Sequence, residues 1–135
     1  MSHAATVPLP PSPAFTFDVQ TIEKGVPLST LEEFASYSGI PLRQLLEVVI
    51  PPRTLKHRRQ RGEPLSIDES DRLARVARMY ELAARVYGEH ESGRGWLLRP
   101  KRRFNGRTAL SMLRTGVGEQ EVQDALIQID EGYFA

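Results

Sequence analysis

At 135 residues, 40% of them hydrophobic and none of them cysteine, the chain is long enough for one modest core, and disulfides and thiolate metal sites are excluded. No apolar run approaches a membrane span and nothing reads as a signal peptide, so a cytoplasmic location without membrane contact is expected. The net charge of +1 hides a segregation: residues 1–50 sum to −3, residues 51–62 to +5 and residues 63–135 to −1, so positive charge is gathered in one place.

Met1 to Pro13 is rich in Ala, Ser and Pro; the prolines deny it regular hydrogen bonding, and residues 1–14 read as a disordered arm. Phe15 to Ile22 mixes apolar and polar residues in partial alternation and fits either a short strand or an irregular packing segment. Ser29-Thr-Leu-Glu32 reads as a capping box that opens a helix running to about Ser38 and ending at Gly39, with Leu31, Phe34 and Ala35 on its buried face. Pro41 opens a second helix at its first turn, with Leu42, Leu45, Leu46 and Val49 inside.

Pro51 to Gly62 carries five bases and no acid. Proline suits the first turn of a helix and glycine the position just past its end, which predicts a helix here of about two and a half turns. Only Leu55 is strongly apolar, so one edge docks and the rest faces outward. A short cationic helix of this kind fits the DNA major groove, where Arg pairs bidentately with guanine and Lys or Thr reaches phosphates. The candidate DNA-binding residues are Arg53, Thr54, Lys56, His57, Arg59 and Gln60; the alternative is a solvated basic face.

Ser66-Ile-Asp-Glu69 is a second capping box, with Asp68, Glu69 and Asp71 at the positive end of the helix dipole. The helix it starts runs to about Gly88. Leu73, Val76, Ala77, Tyr80, Ala84 and Tyr87 form one stripe, widened by Met79, Leu82, Ala83 and Val86; a stripe so wide is core, or a seat for a second copy of the chain. Trp96 and Leu97 fall in a short helix or turn ended by Pro100. Arg99 to Arg107 is a second basic run, read as a solvated loop. Thr108 caps a short helix burying Leu110 and Leu113, broken by Gly116 and Gly118. From Glu119 a last helix puts Val122, Leu126 and Ile129 on one face, and residues 117–135 hold five acids and no base.

His3, His57 and His90 are scattered, with no metal-ligand spacing, nucleophile elbow or phosphate loop around them. Catalysis, a metal and a cofactor are therefore not expected.

Three short helices with tight turns, the last one cationic, outline a helix-turn-helix unit. Ile50 to Leu55, continuing through Arg58 to Arg61-Gly62, resembles the recognition-helix region of the Xre/Cro repressor family. A competing register exists, in which Phe34-Ala35, Gly39-Ile40 and Leu45 resemble that family's turn and Pro41 to Val49 becomes the recognition helix. The later register is preferred because Pro41 to Val49 sets one base, Arg43, against one acid, Glu47, and a phosphate backbone rewards cations.

From about Gly25 onward the chain resembles antitoxins of the MbcA/ParS/Xre group, the partners of RES-domain toxins. Arg53-Thr-Leu with Arg58-Arg59, Leu65-Ser66, Glu69-Ser-Asp-Arg-Leu73, Tyr87-Gly88, Trp96-Leu97 with Pro100, Gly106 with Thr108 and Leu110, and the terminal Ile129, Gly132 and Phe134 carry the likeness. The chain departs from the family pattern at Ala109, where proline is usual, and at Lys101, where asparagine is common.

The resemblance implies an all-α fold, with an Xre/Cro-like helix-turn-helix DNA-binding domain over residues 15–64 and a helical toxin-binding and dimerisation domain over residues 65–135. It also implies an NAD-consuming toxin as partner, homodimerisation, and operator binding that represses the chain's own operon. Trp96, Arg99, Ile129, Asp130, Glu131, Tyr133, Phe134 and Ala135 are the candidate toxin contacts. The acids and the terminal carboxylate would cover a cationic dinucleotide entrance, with Tyr133 and Phe134 as anchors. The runner-up is a freestanding dimeric Xre-type repressor without a toxin.

Overall fold

A computed structural model describes residue 15 and residues 17–132. The expected arm over 1–14 lies outside the described residues, as do Tyr133, Phe134 and Ala135.

The described chain is helical: α1 (Val19–Lys24), α2 (Leu28–Ser38), α3 (Leu42–Val49), α4 (Pro52–Arg61), α5 (Ile67–Tyr87), α6 (His90–Leu98), a 3₁₀ turn (Arg102–Phe104), α7 (Ala109–Met112) and α8 (Gly116–Asp130). The segment left open between strand and irregular structure, Phe15 to Ile22, enters α1 at Val19, and Asp18 starts that helix by accepting the Thr21 N–H at 2.8 Å. The capping box expected at Ser29 does not form. Pro27 occupies the N-cap position, its carbonyl accepting from the Thr30 N–H at 3.0 Å, so Ser29 is already inside the first turn and its hydroxyl has no cap to serve. Glu32 is thereby released for an ion pair elsewhere.

Gly39 ends α2 in the left-handed region, as expected. In α3 the packing face is rotated from the expected one: Val48 is buried, and Leu42 is 40% exposed.

α5 is the element the others pack against. Its capping box forms in full, Glu69 N–H to Ser66 Oγ at 3.1 Å and Ser66 N–H to Glu69 Oε1 at 2.7 Å, which fixes where its first turn begins. Leu73, Val76, Ala77, Tyr80 and Ala84 are buried by the chain's own helices, while Tyr87 at the end of the stripe is 36% exposed, so all of the stripe but its last turn is core. A single hydrophobic cluster runs from Val26 to Leu126, drawing on both halves of the sequence.

α6 starts at His90, earlier than the short turn expected around Trp96, and His90 Nδ1 meets the Tyr80 hydroxyl at 2.9 Å. A Cβ on Gly93 would lie 2.6–2.9 Å from backbone atoms of Ala83 and Ala84, so the two helices touch backbone to backbone there. Gly116 and Gly118 do not break a helix; they form the first turn of α8, capped by Thr115, whose Oγ1 accepts from the Gly118 N–H at 3.0 Å. A Cβ on Gly118 would sit 1.7 Å from the Met112 carbonyl oxygen, so glycine is required where α7 turns into α8. Thr108 caps α7 as predicted, accepting from the Ser111 N–H at 3.1 Å.

Candidate functional site

Helix α4 divides its cations between two tasks. Leu55 anchors it in the core. On the same side Arg58 grips Glu69 with both ends of its fork, Nε to Oε1 at 3.2 Å and Nη2 to Oε2 at 3.1 Å, and reaches Glu63 at 3.4 Å. The Glu69 side chain is only 7% exposed. Burial pushes its carboxyl up, but the hydrogen bonds from Arg58 and from the Ser66 N–H outweigh that and hold it below the ordinary carboxylate range. The Glu69 hydrogen bonds in turn raise the Arg58 guanidinium. Arg58 is therefore a bolt between α4 and α5.

Residues spaced by three and four share a helix face, and Arg53, Lys56, His57, Gln60 and Arg61, all exposed, make up the opposite side of α4. Thr54 is half-buried at its edge. Arg59 is exposed but engaged by Glu32 at 3.1 Å, a surface pair with little intrinsic strength, so its guanidinium can be exchanged for a phosphate. On α3 the exposed side chains are Leu42, Arg43 and Glu47, a face with no net charge.

The C-terminal half behaves differently. Trp96, expected at a partner surface, is 6% exposed and belongs to the core, because its ring packs edge-on against buried Phe104 at 6.4 Å between centroids. Lys101 lies over the outer ring face at 4.5 Å. Burial, with the Arg99 charge adding to it, lowers that ammonium to about 8. Arg99 is exposed.

The basic run is more ordered than a solvated loop. Lys101 N–H bonds to the Arg107 carbonyl at 3.0 Å and Gly106 N–H to the Lys101 carbonyl at 2.9 Å. Asn105 and Gly106 adopt the positive φ values that the tight turn needs. On α8, Ile129 packs partly into the core while Asp130 and Glu131 are exposed. Val117, 74% exposed, and Ile127 are apolar positions on the outer face of the same helix.

Three features escaped the reading of the sequence. Arg75 pairs with Asp71, and Glu119 on α8 receives Arg78 at 2.9 Å and Arg75 at 3.8 Å, locking α5 to α8. Tyr37 donates to Glu81 at 2.7 Å across α2 and α5. Arg72, Arg107 and Arg114 line one groove with Glu47 and Pro51. Apart from the i,i+4 pair of Arg75 with Asp71, none of these is local in sequence, so no spacing rule finds them.

Among the described residues no group of His, Cys, Asp or Glu is arranged to hold a metal ion, and no helix is long and apolar enough to cross a membrane.

Residues 18–78 match the family described as the antitoxin Xre-like helix-turn-helix domain, and residues 82–132 match the antitoxin Xre/MbcA/ParS C-terminal toxin-binding domain. The junction between the two matches falls inside α5, the helix that serves both halves of the core. An antitoxin Xre of Pseudomonas putida is 48% identical over 85 residues, 63% of this chain and 54% of the relative, so the chain spans about half of that relative's length. Antitoxins Xre of Yersinia enterocolitica and Photorhabdus laumondii are 27% and 26% identical; the alignments cover 93% and 82% of this chain and 86% and 76% of those proteins. With both halves matched in order on an all-helical fold, the chain carries the two domains of the Xre-type antitoxin family, a helix-turn-helix domain followed by a domain of the toxin-binding kind.

Proposed function

We propose that the chain neutralises a RES-domain, NAD-degrading toxin by laying its C-terminal segment over the enzyme's active site, and that it binds operator DNA through the outer face of α4 to repress its own transcription. The observation that carries this reading is the separation of charge between two exposed surfaces. Arg53, Lys56, His57, Gln60 and Arg61 form an acid-free face on α4, whereas Glu121, Asp124, Asp130 and Glu131 are exposed along α8 and its end.

An enzyme that binds NAD holds a pyrophosphate with Arg, Lys or backbone donors. Asp130 and Glu131 offer the same donors a competing carboxylate, and Ile129 brings the segment out of a packed helix, which limits the entropy lost on docking. Tyr133, Phe134 and Ala135 complete the plug in this proposal. Arg99 lies at the other exposed end of the C-terminal half and serves as a rim contact; Trp96 acts from the core by holding the loop beneath Lys101.

For DNA, a homodimer sets two α4 helices about one helical turn apart, roughly 34 Å, on an imperfect palindrome. The base-reading positions are Arg53 and Gln60, with Thr54, Lys56, His57 and Arg59 reaching the backbone.

The test is co-expression with the protein encoded beside this chain, followed by purification and an NAD assay. The reading expects a stable hetero-oligomer that spares NAD, and renewed NAD loss when Gly132 to Ala135 are removed. Unaltered protection by the shortened chain would refute the plug, and failure to form any complex would leave a freestanding repressor.

A further inference from the structure

Four of the nine arginines of the first five helices are paired with carboxylates. Arg58 has Glu63 and Glu69, Arg59 has Glu32, Arg75 has Asp71 and Glu119, and Arg78 has Glu119. Arg72, Arg107 and Arg114 make no ion pair among the described residues, yet they come together from three different elements onto one groove beside the corner where α3 passes into α4.

Two of the three are held in place. Arg72 Nε donates to the Val49 carbonyl at 3.1 Å. Arg107 donates through Nε to Ser111 Oγ at 3.2 Å and through Nη2 to the Ser111 carbonyl at 2.8 Å. Arg114 is exposed on the turn between α7 and α8. Glu47, the one acid of the groove, leaves a surplus of two positive charges. Like charges gathered on one surface repel, and an anion placed between them removes the repulsion. Pro51, the N-cap residue of α4, forms the groove's edge, two residues from Arg53.

We infer that this groove binds a backbone phosphate of the duplex read by α4, so that the C-terminal half contributes directly to DNA binding through Arg107 and Arg114. The inference rests on α4 being the DNA-binding face and extends it. Fixed guanidiniums suit phosphate because the fork is already oriented when the anion arrives. The contact is independent of base sequence; it positions the protein on the duplex and adds to the salt dependence of binding.

Binding of the full chain to operator and to scrambled duplexes, measured across a salt series, tests it. Each phosphate contact contributes about 0.9 to the slope of log affinity against log salt. Because the groove holds one phosphate, Arg107→Gln with Arg114→Gln should lower the slope by about 0.9 per bound chain, and Arg114→Gln alone by part of that. Affinity for the two duplexes should fall by the same factor, and Arg114→Lys should restore the slope. Should the double variant fail to fold, Arg114→Gln alone is decisive, since its side chain is exposed. An unchanged slope in a folded variant overturns the inference while leaving α4 as the DNA face. Loss of toxin binding with an unchanged slope overturns it in favour of a protein contact. Absence of any DNA binding by the unaltered chain overturns both the inference and the reading beneath it.

Discussion

Replacing Arg58 by methionine separates the arginine that holds α4 in the fold from those that face outward. The substitution keeps the apolar stem and removes a fork bound to Glu69 at 3.1 and 3.2 Å. Breaking a fully buried pair costs about 3–5 kcal/mol, because one charge is left stranded; an exposed pair contributes about 0–1 kcal/mol. Here the Glu69 side chain is 7% exposed and the Arg58 side chain 28%, which places the loss between those limits, at about 2–3 kcal/mol. Urea unfolding should show this as a lower midpoint with an unchanged slope.

Adding Glu69→Gln neutralises the stranded carboxylate and keeps an acceptor for the Ser66 N–H. The double variant should therefore recover part of the loss, with a coupling of about 1–2 kcal/mol. The pH dependence carries a second check. Glu69 titrates below its ordinary value of 4.5 in the folded chain, so its contribution is complete above that value and disappears as pH falls through the folded one. The gap between wild type and Arg58→Met should be widest near neutrality and close in acid. A loss below about 0.5 kcal/mol, or a gap that does not change with pH, would refute the assignment of Arg58 to the fold.

Gly118→Ala forces a Cβ against the Met112 carbonyl and Gly93→Ala drives one into the backbone of α5; each should cost about 1–3 kcal/mol by overpacking, and a loss below 0.5 kcal/mol in thermal unfolding would show that the helices separate freely. Lys101, lowered to about 8 by burial and then by Arg99, should react with an amine-directed reagent at pH 8 several-fold faster than the average lysine, read by peptide mass spectrometry. Because its folded value lies below the ordinary 10.5, stability should rise slightly with pH between those two values. Labelling of Lys101 no faster than that of Lys24 or Lys56 would contradict its position over Trp96.

Local chemistry made much of the fold legible. Ser66 and Thr108 stand in extended backbone just ahead of apolar periodicity, so the caps they predict form as read. Ser29 has the same sequence signature, but Pro27 two residues earlier fixes the backbone and claims the cap position. Gly116 and Gly118 read as a break because glycine serves both breaks and close approaches; only the proximity of the Met112 carbonyl to Gly118 shows that the second is a close approach. Trp96 shows the limit of reading an aromatic residue as a contact, since its partner Phe104 lies across a turn in a basic run.

At the candidate DNA face, charge density located α4, while the division of its arginines needed Glu32, Glu63 and Glu69 to be placed in space. The Arg72, Arg107 and Arg114 groove joins residues from three elements, and no one-dimensional pattern brings them together.

The division of labour between α4 and the C-terminal segment is tested most directly by one operator-binding salt titration of wild type against Arg53→Gln with Lys56→Gln, with toxin neutralisation measured on the same preparations. The account predicts a slope lower by about 0.9 per bound chain, from the lost phosphate contact of Lys56, near-complete loss of operator affinity at physiological salt, and full neutralisation of the toxin. An unchanged slope, or loss of both activities together in a folded protein, would contradict it.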